Sequence, residues 1–401
     1  MIYGILDNDL YKFSMMQAVI SLFPKEIVRY RFINRGKTQF PDGFADRLQN
    51  EIKTLSYLTE NGRSKEDKEY LLSLNFLSPF FVDYLSNYQF DPEEVTVTQN
   101  GGDVDIMIEG YWFRTILWEV PLLAMISETY FEMTGQGYYQ LASEKVFGTN
   151  REITSSINRD KGTKFKDYNI NFADFGTRRR HSLENHRNVV WDLITSAGSN
   201  MVGTSNVYLA KENGIKAIGT MAHEWIMFHG AKYGFHEANK LALQNWVNVY
   251  GGNLGIALSD TYTTDSFFNS FDTLFAKTFD GVRHDSGDPI TFGEKVIKHY
   301  KKLGFSDNVI KAKTIVFSDA LNFDKVLKIE KVFKGRINTS YGIGTWLTND
   351  IPGVKPLNIV IKMDSVFINS EWVPTVKLSD EPGKYTGDKE TIELAKRILK
   401  V

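Results

Sequence analysis

From about residue 165 onward, short runs of β-type residues alternate with longer amphipathic helical stretches, and this alternation constrains the fold more than any other feature of the chain. The spacing predicts strands over 170–175, 217–218, 254–258, 281–284, 314–317 and 336–339. Helices are predicted between them over 182–197, 224–249, 265–279, 289–303 and 323–333. Strands separated by helical crossovers pair in parallel, so the region reads as a series of βα units. The residues just after each strand sharpen this reading. The runs end in DFGTRRR (174–180), GTMAH (219–223), SDTY (259–262), RHDSGD (283–288), SD (318–319) and SYGIGT (340–345). The carboxyl ends of the strands line the active site of a parallel α/β barrel. Turn chemistry accounts for Ser, Asp and Gly at such places, but not for Arg178, Arg179, Arg180, His223 and Arg283. The pattern therefore points to a barrel enzyme.

The remainder is less regular. Helical spacing covers 9–23, 64–74 and 121–133, a strand is expected over 28–33, and strands over 95–98 and 104–108 pair across Gly101 and Gly102. Glycines at 135 and 137 mark a soft boundary. The expected organisation is an N-terminal α/β domain over 1–135 and a barrel domain carrying the active site over 136–350. Strand-like alternation then returns at 358–363, 366–368 and 375–377, and a helix over 389–399 closes the chain. The segment 351–401 is expected to return to the N-terminal domain, which would make that second domain discontinuous.

Composition removes several function classes. The 401 residues carry 47 Lys and Arg against 49 Asp and Glu, a formal net charge of −2. No strong field exists to gather nucleic acid or an anionic membrane, and neither is expected as a partner. There is no cysteine, which excludes disulfides, zinc ribbons, Fe–S clusters and thiol nucleophiles and fits a reducing cytoplasm. The first residues lack a basic region ahead of an apolar stretch, so no signal peptide is expected. The apolar region 111–131 is interrupted by Arg114, Glu119, Pro121 and Glu128 and is too broken to span a bilayer. The expectation is a soluble, cytoplasmic protein.

Each motif has a bland alternative. Three guanidiniums at 178–180 suit phosphate or carboxylate oxygens, and Phe175 beside them could stack on a flat ring. They could also be a solvated helix start, although cations there oppose the helix dipole. His223 precedes Glu224, but position 227 is Met, so the zincin spacing fails. This histidine could be a general base, a phosphoryl acceptor or a hydrogen-bonded core residue. Asp285 and Asp288 could take ribose hydroxyls or Mg²⁺, while Asp288 before Pro289 also suits an N-cap. The two glycines of SYGIGT offer a backbone cradle for one phosphate. His229, His236 and His299 read as surface or satisfied core groups; His181, His186 and His284 stay ambiguous.

Taken together, DFGTRRRHS, GTSNVYLA and GTMAHEW resemble the nicotinate phosphoribosyltransferase family in its shorter form. The resemblance runs from DNDLYKFSMMQAV through RHDSGDP to SYGIGTWLTND, in the family's order. It implies an irregular (β/α) barrel with a second, discontinuous, sandwich-like α/β domain. It implies transfer of phosphoribosyl from phosphoribosyl pyrophosphate to nicotinate, the first step of NAD salvage from nicotinate, with Mg²⁺ and with ATP as co-substrate. It makes His223 the phosphorylated histidine. Phe175 would stack on the pyridine, with Tyr11 reaching in from a neighbouring subunit of a homodimer. Thr220 and Arg283 would hold nicotinate, and Arg178 its carboxylate or a phosphate. Asp285 and Asp319 would bind the ribose, and Gly344 and Thr345 the 5′-phosphate. The metal ligands stay unassigned.

The related nicotinamide phosphoribosyltransferase carries an aspartate where this chain has Ser205, a carboxylate that would repel nicotinate, so the acid is favoured as substrate. A sugar-phosphate isomerase or aldolase on the same barrel is the more distant alternative. It would want a lysine or a carboxylate base at a strand end, and no lysine stands there.

Overall fold

The structure is a computed structural model that describes residues 1–57, 64–138 and 150–401. Two compact units interleave along the sequence. Unit 1 comprises Met1–Gln17, Tyr30–Gly219 and Ile343–Lys362; unit 2 comprises Ala18–Arg29, Thr220–Gly342 and Met363–Val401. Both units are thus discontinuous in the sequence, with boundaries after Gln17, Arg29, Gly219, Gly342 and Lys362.

The first helix spans Leu10–Leu22, most of whose side chains are buried; its residues through Gln17 belong to unit 1 and the rest to unit 2. The strand β1 (Ile27–Asn34) alternates buried and more exposed positions from Val28 to Phe32, the period of a sheet with one covered face. The strands β2 (Val95–Asn100) and β3 (Asp103–Tyr111) form the expected hairpin, with Asn100 opposite Asp103 across the Gly101–Gly102 turn. The C-terminal part of unit 1 reaches the same region, where Gly36 N–H donates to Asn358 O at 3.0 Å. Trp112 and Trp118 are fully buried in this unit.

The βα pattern opens with β4 (Phe172–Asp174), β5 (Met201–Thr204) and β6 (Lys216–Ala217), all parallel. Sequence pattern misses β5, whose four residues include Gly203 and Thr204 and no apolar run. Glycine is required at 203 because a Cβ would lie 2.2 Å from Lys216 O on β6. Between β4 and β5 runs the helix Leu183–Ala197, started by Ser182, whose hydroxyl accepts from Asn185 N–H.

Unit 2 continues with β7 (Ile256–Leu258), β8 (Gly281–His284), β9 (Thr314–Phe317) and β10 (Asn338–Ile343), again parallel in the order β7-β8-β9-β10. The last residue of β10, Ile343, already belongs to unit 1. The helix Pro289–Lys302 starts at Asp288, whose carboxylate accepts from Thr291 N–H at 2.7 Å, with Pro289 in the first turn. Asp288 is therefore the cap. The stretch 224–249, expected as one helix, is two: His223–Tyr233 and Phe235–Tyr250, with Gly234 between them. The stretch 265–279 also divides, because Asp272 accepts from Leu274 and Phe275 N–H and starts a new helix. Trp225 and Trp246 are fully buried here, and Trp225 Nε1–H donates to Ala242 O, tying the first helix pair together. The chain ends with β11 (Ile359–Ile368), β12 (Glu371–Pro374), which pairs with it antiparallel, and the helix Lys389–Leu399. The α/β class and the parallel βα series are as expected, and the antiparallel strands belong to a sheet of their own. Among the described residues, no helix is long and apolar enough to cross a membrane.

Candidate active site

The expected site residues fall into two clusters, one in each unit. In unit 1, the strand β4 delivers Asp174, which is fully buried and anchors the loop after it. Its Oδ1 accepts from Gly176 N–H at 2.8 Å, while Oδ2 accepts from Thr204 Oγ1 at 2.6 Å and from the His186 ring at 2.7 Å. Burial alone would raise this carboxyl; the His186 contact and the two hydrogen bonds override it and hold it below its ordinary value. His186 thus has a structural partner. Phe175, next along, is half-exposed, and its N–H donates to Ile343 O at 2.8 Å.

Within the run 178–180, Arg178 and Arg180 differ in role. Arg180 is fully buried, with Nη1 and Nη2 each 2.7 Å from the Asp7 carboxylate, and is a structural ion pair. Burial pushes the Asp7 carboxyl upward, but the Arg180 charge and its hydrogen bonds win and hold it low. Arg178 is about one-third exposed; its Nη1 lies 3.5 Å from Glu119, and its guanidinium sits 6.0 Å from the Tyr11 ring centroid. Glu119 also meets Lys12 at 2.6 Å. Burial opposes its ionisation, yet Lys12, Lys362 and Arg178 together hold it down to about 2. Arg178 therefore stands over a buried, ionised base with part of its guanidinium accessible.

Tyr11 is 8% exposed, and its ring lies beside Arg178 of its own chain. One chain by itself thus brings a tyrosine next to the expected carboxylate-binding arginine. Ser205 is buried, and its hydroxyl donates to Asp9 Oδ1 at 2.7 Å. Burial raises the Asp9 carboxyl, with Arg178 and Ser205 pulling the other way. Gly344 approaches Phe175, where a Cβ would lie 3.4 Å from its carbonyl oxygen, and Thr345 opens the short helix Thr345–Thr348.

The unit 2 cluster centres on His223, the first residue of its helix and 5% exposed. Nδ1 lies 2.9 Å from Thr261 Oγ1, Nε2 lies 3.0 Å from Asp285 Oδ2, and Asp260 Oδ1 stands 3.9 Å from Nε2. Asp285 is the hub: its Oδ1 accepts from Arg283 Nη2 at 3.2 Å and from Ser318 Oγ at 2.8 Å. Arg283 Nε also donates to Ser318 Oγ at 2.9 Å. Burial would raise Asp285, but the Arg283 charge and the His223 hydrogen bond hold it well below the usual carboxylate range. His223 is pushed down to about 4 by burial first and by Lys377 second, against the pull of Asp260 and Asp285. A cation at a helix N-terminus is also opposed by the helix dipole. The pair is therefore an ionised Asp285 receiving the Nε2–H of a neutral imidazole. Asp319 Oδ1 accepts from Lys384 Nζ at 2.7 Å, and Thr220 Oγ1 donates to Ile256 O at 3.0 Å.

The His223 ring resonances should show no protonation step near 6.5 and should move only toward pH 4, as read by NMR; a step near 6.5 would contradict the assignment. The sign for stability is fixed as well. Between about pH 6.5 and 4 the unfolded chain binds a proton that folded His223 refuses, so this group's contribution falls as pH drops through that window.

Sequence pattern alone misses several residues of these clusters. Asp260, Thr261 and Ser318 lie inside strand-end motifs already singled out, so their signal is present but unassigned. Asp9 and Lys12 flank Tyr11 in DNDLYKF. Glu119, Lys377 and Lys384 carry no local signal. Three further histidines resolve too. His229 is a satisfied core residue between Trp225 O and Asn245 Nδ2, and His284 bonds its own loop at Gly287 O. His181 is buried, stacks on Phe131 and meets Gln136 O at 2.8 Å.

Sequence profiles of the nicotinate phosphoribosyltransferase family and of that family's N-terminal domain match residues 170–401 and 6–127. The chain belongs to this family. Its relatives include the nicotinate phosphoribosyltransferases of Chromohalobacter salexigens, 48% identical over all of this chain and 98% of that protein, and of Desulforapulum autotrophicum, 49% identical over 100% and 99%. The crystal structure of nicotinate phosphoribosyltransferase from Porphyromonas gingivalis is 42% identical, with a TM-score of 0.93 over the whole of both chains. A putative nicotinate phosphoribosyltransferase from Saccharomyces cerevisiae gives 33% and 0.88 over 99% and 98%. Members of this family are phosphoribosyltransferases, so the fold and the enzyme class stand together.

Proposed function

We propose that this chain joins nicotinate to phosphoribosyl pyrophosphate and couples the transfer to ATP cleavage through a phosphoryl group carried on His223. The observation that carries the reading is His223 itself, a neutral imidazole fixed by Asp285 on one nitrogen and Thr261 on the other. With Nε2–H committed to Asp285, the lone pair lies on Nδ1. Attack on the γ-phosphorus of ATP forms the N–P bond as the bond to ADP breaks, and the imidazolium charge that develops is met by Asp285 and Asp260. The phosphoryl group adds roughly one to two negative charges beside Arg283 and Lys377. We assign to that charge the reordering that tightens the hold on phosphoribosyl pyrophosphate.

In the transfer step the pyridine nitrogen attacks C1 of the ribose while pyrophosphate leaves, through an oxocarbenium-like transition state. The protein then supplies position and charge rather than a nucleophile of its own. Phe175 is assigned to the base ring, Arg178 to the nicotinate carboxylate or a phosphate, and Gly344 and Thr345 to the 5′-phosphate. Thr220 and Arg283 keep the nicotinate role implied by the family. Asp319 and Asp285 keep the ribose role implied by the family, and the bond between Asp285 and His223 supports a further part for Asp285 in orienting the imidazole. Mg²⁺, which the family implies, would offset the charge of the departing pyrophosphate. A cytoplasmic setting, where ATP is at hand, goes with this reading. So does a homodimer in which Tyr11 of a neighbouring subunit covers the second face of the base. Sedimentation velocity tests the dimer: a monomer retaining full activity would confine Tyr11 to its own chain.

The test of the function is mononucleotide formation from phosphoribosyl pyrophosphate with nicotinate or nicotinamide, each with and without ATP. Product from nicotinate, stimulated by ATP, is expected; preference for nicotinamide would overturn the reading of Ser205. A Ser205→Asp variant places a second carboxylate against Asp9. It should raise the nicotinate KM by about tenfold or more, roughly 1.4 kcal/mol per decade, with a smaller change for nicotinamide. Equal effects on the two bases would show that position 205 does not select between them.

A further inference from the structure

The loop that carries Phe175 and Arg178 and the loop that carries Gly344 and Thr345 are bolted to one another within unit 1. Phe175 N–H donates to Ile343 O at 2.8 Å, Thr348 Oγ1 donates to Gly176 O at 2.9 Å, and Asn349 Nδ2 donates to Arg179 O at 2.9 Å. In return, Thr348 O accepts from His181 N–H at 3.2 Å and from Asn185 Nδ2 at 2.9 Å. Thr348, Asn349 and Asn185 are buried, and Gly176 with them. A Cβ at Gly176 would lie 2.3 Å from Thr348 Oγ1 and Cγ2, so the two loops touch with no room for a side chain. Thr348 ends the short helix that Thr345 opens and Asn349 follows it, and both hydroxyl and amide are spent on carbonyls of the loop 175–179.

We propose that Thr348 and Asn349 are positioning residues that clamp the two loops into one body, so that phosphoribosyl pyrophosphate and nicotinate bind cooperatively. The proposal rests on the reading that Phe175 and Arg178 hold the base and that Gly344 and Thr345 hold the 5′-phosphate. Filling one loop then fixes the other. A displacement of an ångström in either loop moves both reacting partners away from attack geometry. The coupling is reciprocal, as any coupling between two binding equilibria must be. Neither residue touches substrate; each acts through backbone carbonyls of the neighbouring loop.

The experiment measures the nicotinate KM at low and at saturating phosphoribosyl pyrophosphate, and the converse pair, in wild type and Thr348→Val. Valine keeps the shape and deletes the hydroxyl. In wild type each substrate should lower the KM of the other by on the order of fivefold or more. In Thr348→Val that dependence should shrink to less than about twofold, and Thr348→Ser, which restores the hydroxyl, should return it. Asn349→Ser, which removes only the bond to Arg179 O, should show the same loss should Thr348→Val not fold. Wild-type dependence retained in the folded variants, with only a lowered melting temperature, would overturn the proposal, as would independent binding in wild type. A Phe175→Ala control separates the levels. If it leaves the nicotinate KM unchanged, the underlying reading fails. If it raises that KM while Thr348→Val keeps the coupling, only the clamp fails.

Discussion

A His223→Asn enzyme is expected to lose ATP stimulation altogether while keeping a slow, ATP-independent transfer. The asparagine amide falls near the place of Nδ1 and can still hydrogen-bond Thr261, and Asp285 keeps Arg283 and Ser318, so the fold around the site should survive. What disappears is the nitrogen that accepts the phosphoryl group. The transfer step uses the pyridine as nucleophile, so the substrates retain a route to product. ATP-supported kcat/KM should fall by about 100-fold, roughly 2.7 kcal/mol of coupling, and the ATP-free rate should change far less. An Asp285→Asn companion tests the orientation argument. It removes the carboxylate that receives Nε2–H and leaves Arg283 Nη2 facing a neutral amide, and ATP cleavage should fall with it. Full ATP stimulation in His223→Asn would remove the histidine from the coupling. In that case the network of Thr261, Asp285, Arg283 and Ser318 would have to be a structural one.

The second large effect separates two arginines of one cluster, Arg178 and Arg180. Arg180→Met should unfold the protein or cost about 3–5 kcal/mol, because it strands the buried Asp7 carboxylate without its partner. Asp7 would keep only Asn206 Nδ2, at 2.8 Å, and the Tyr3 N–H, at 3.2 Å, too little to hold a carboxylate with no exposed surface. The double variant Asp7→Leu with Arg180→Met should recover much of that loss, since replacing both members of a buried pair removes the unpaired charge. Arg178→Met should behave differently. Its guanidinium is partly exposed and Glu119 retains Lys12, so the melting temperature should move little. Nicotinate binding should instead weaken by about ten- to a hundredfold, the scale of a charged hydrogen bond. Chemical denaturation and steady-state kinetics on the same preparations decide the matter. A folded, active Arg180→Met enzyme would refute the structural assignment, and an unfolded Arg178→Met enzyme would refute the functional one.

The contrast between Arg178 and Arg180 also shows what the amino-acid sequence can and cannot reveal. Three adjacent guanidiniums read as one anion-binding cluster, and the alternation of strands and helices places them correctly at a strand end. Only tertiary contact separates them, because Asp7 lies 173 residues from Arg180. The same holds for Asp9, which meets Ser205 across 196 residues. Ser205 is singled out only by comparison with the amide-using relative, and its buried neighbour Asp9 carries no signal in the sequence. Local signals fare better. Asp288 before Pro289 announces its helix, whereas the cap at Asp272 that divides 265–279 goes unread in a stretch of unbroken helical spacing. The strand β5 is invisible because parallel pairing needs a glycine at 203 where an apolar residue would have marked it. His223 is visible as a residue and ambiguous as a role; the partners on its two nitrogens narrow it.

The most direct test of the coupling is phosphopeptide mapping after brief exposure of the protein to ATP and Mg²⁺ at neutral to alkaline pH, where phosphohistidine survives. One acid-labile phosphoryl group on the peptide containing His223 is predicted, discharged when phosphoribosyl pyrophosphate and nicotinate are added. ATP-stimulated mononucleotide formation with His223 left unmodified would contradict it.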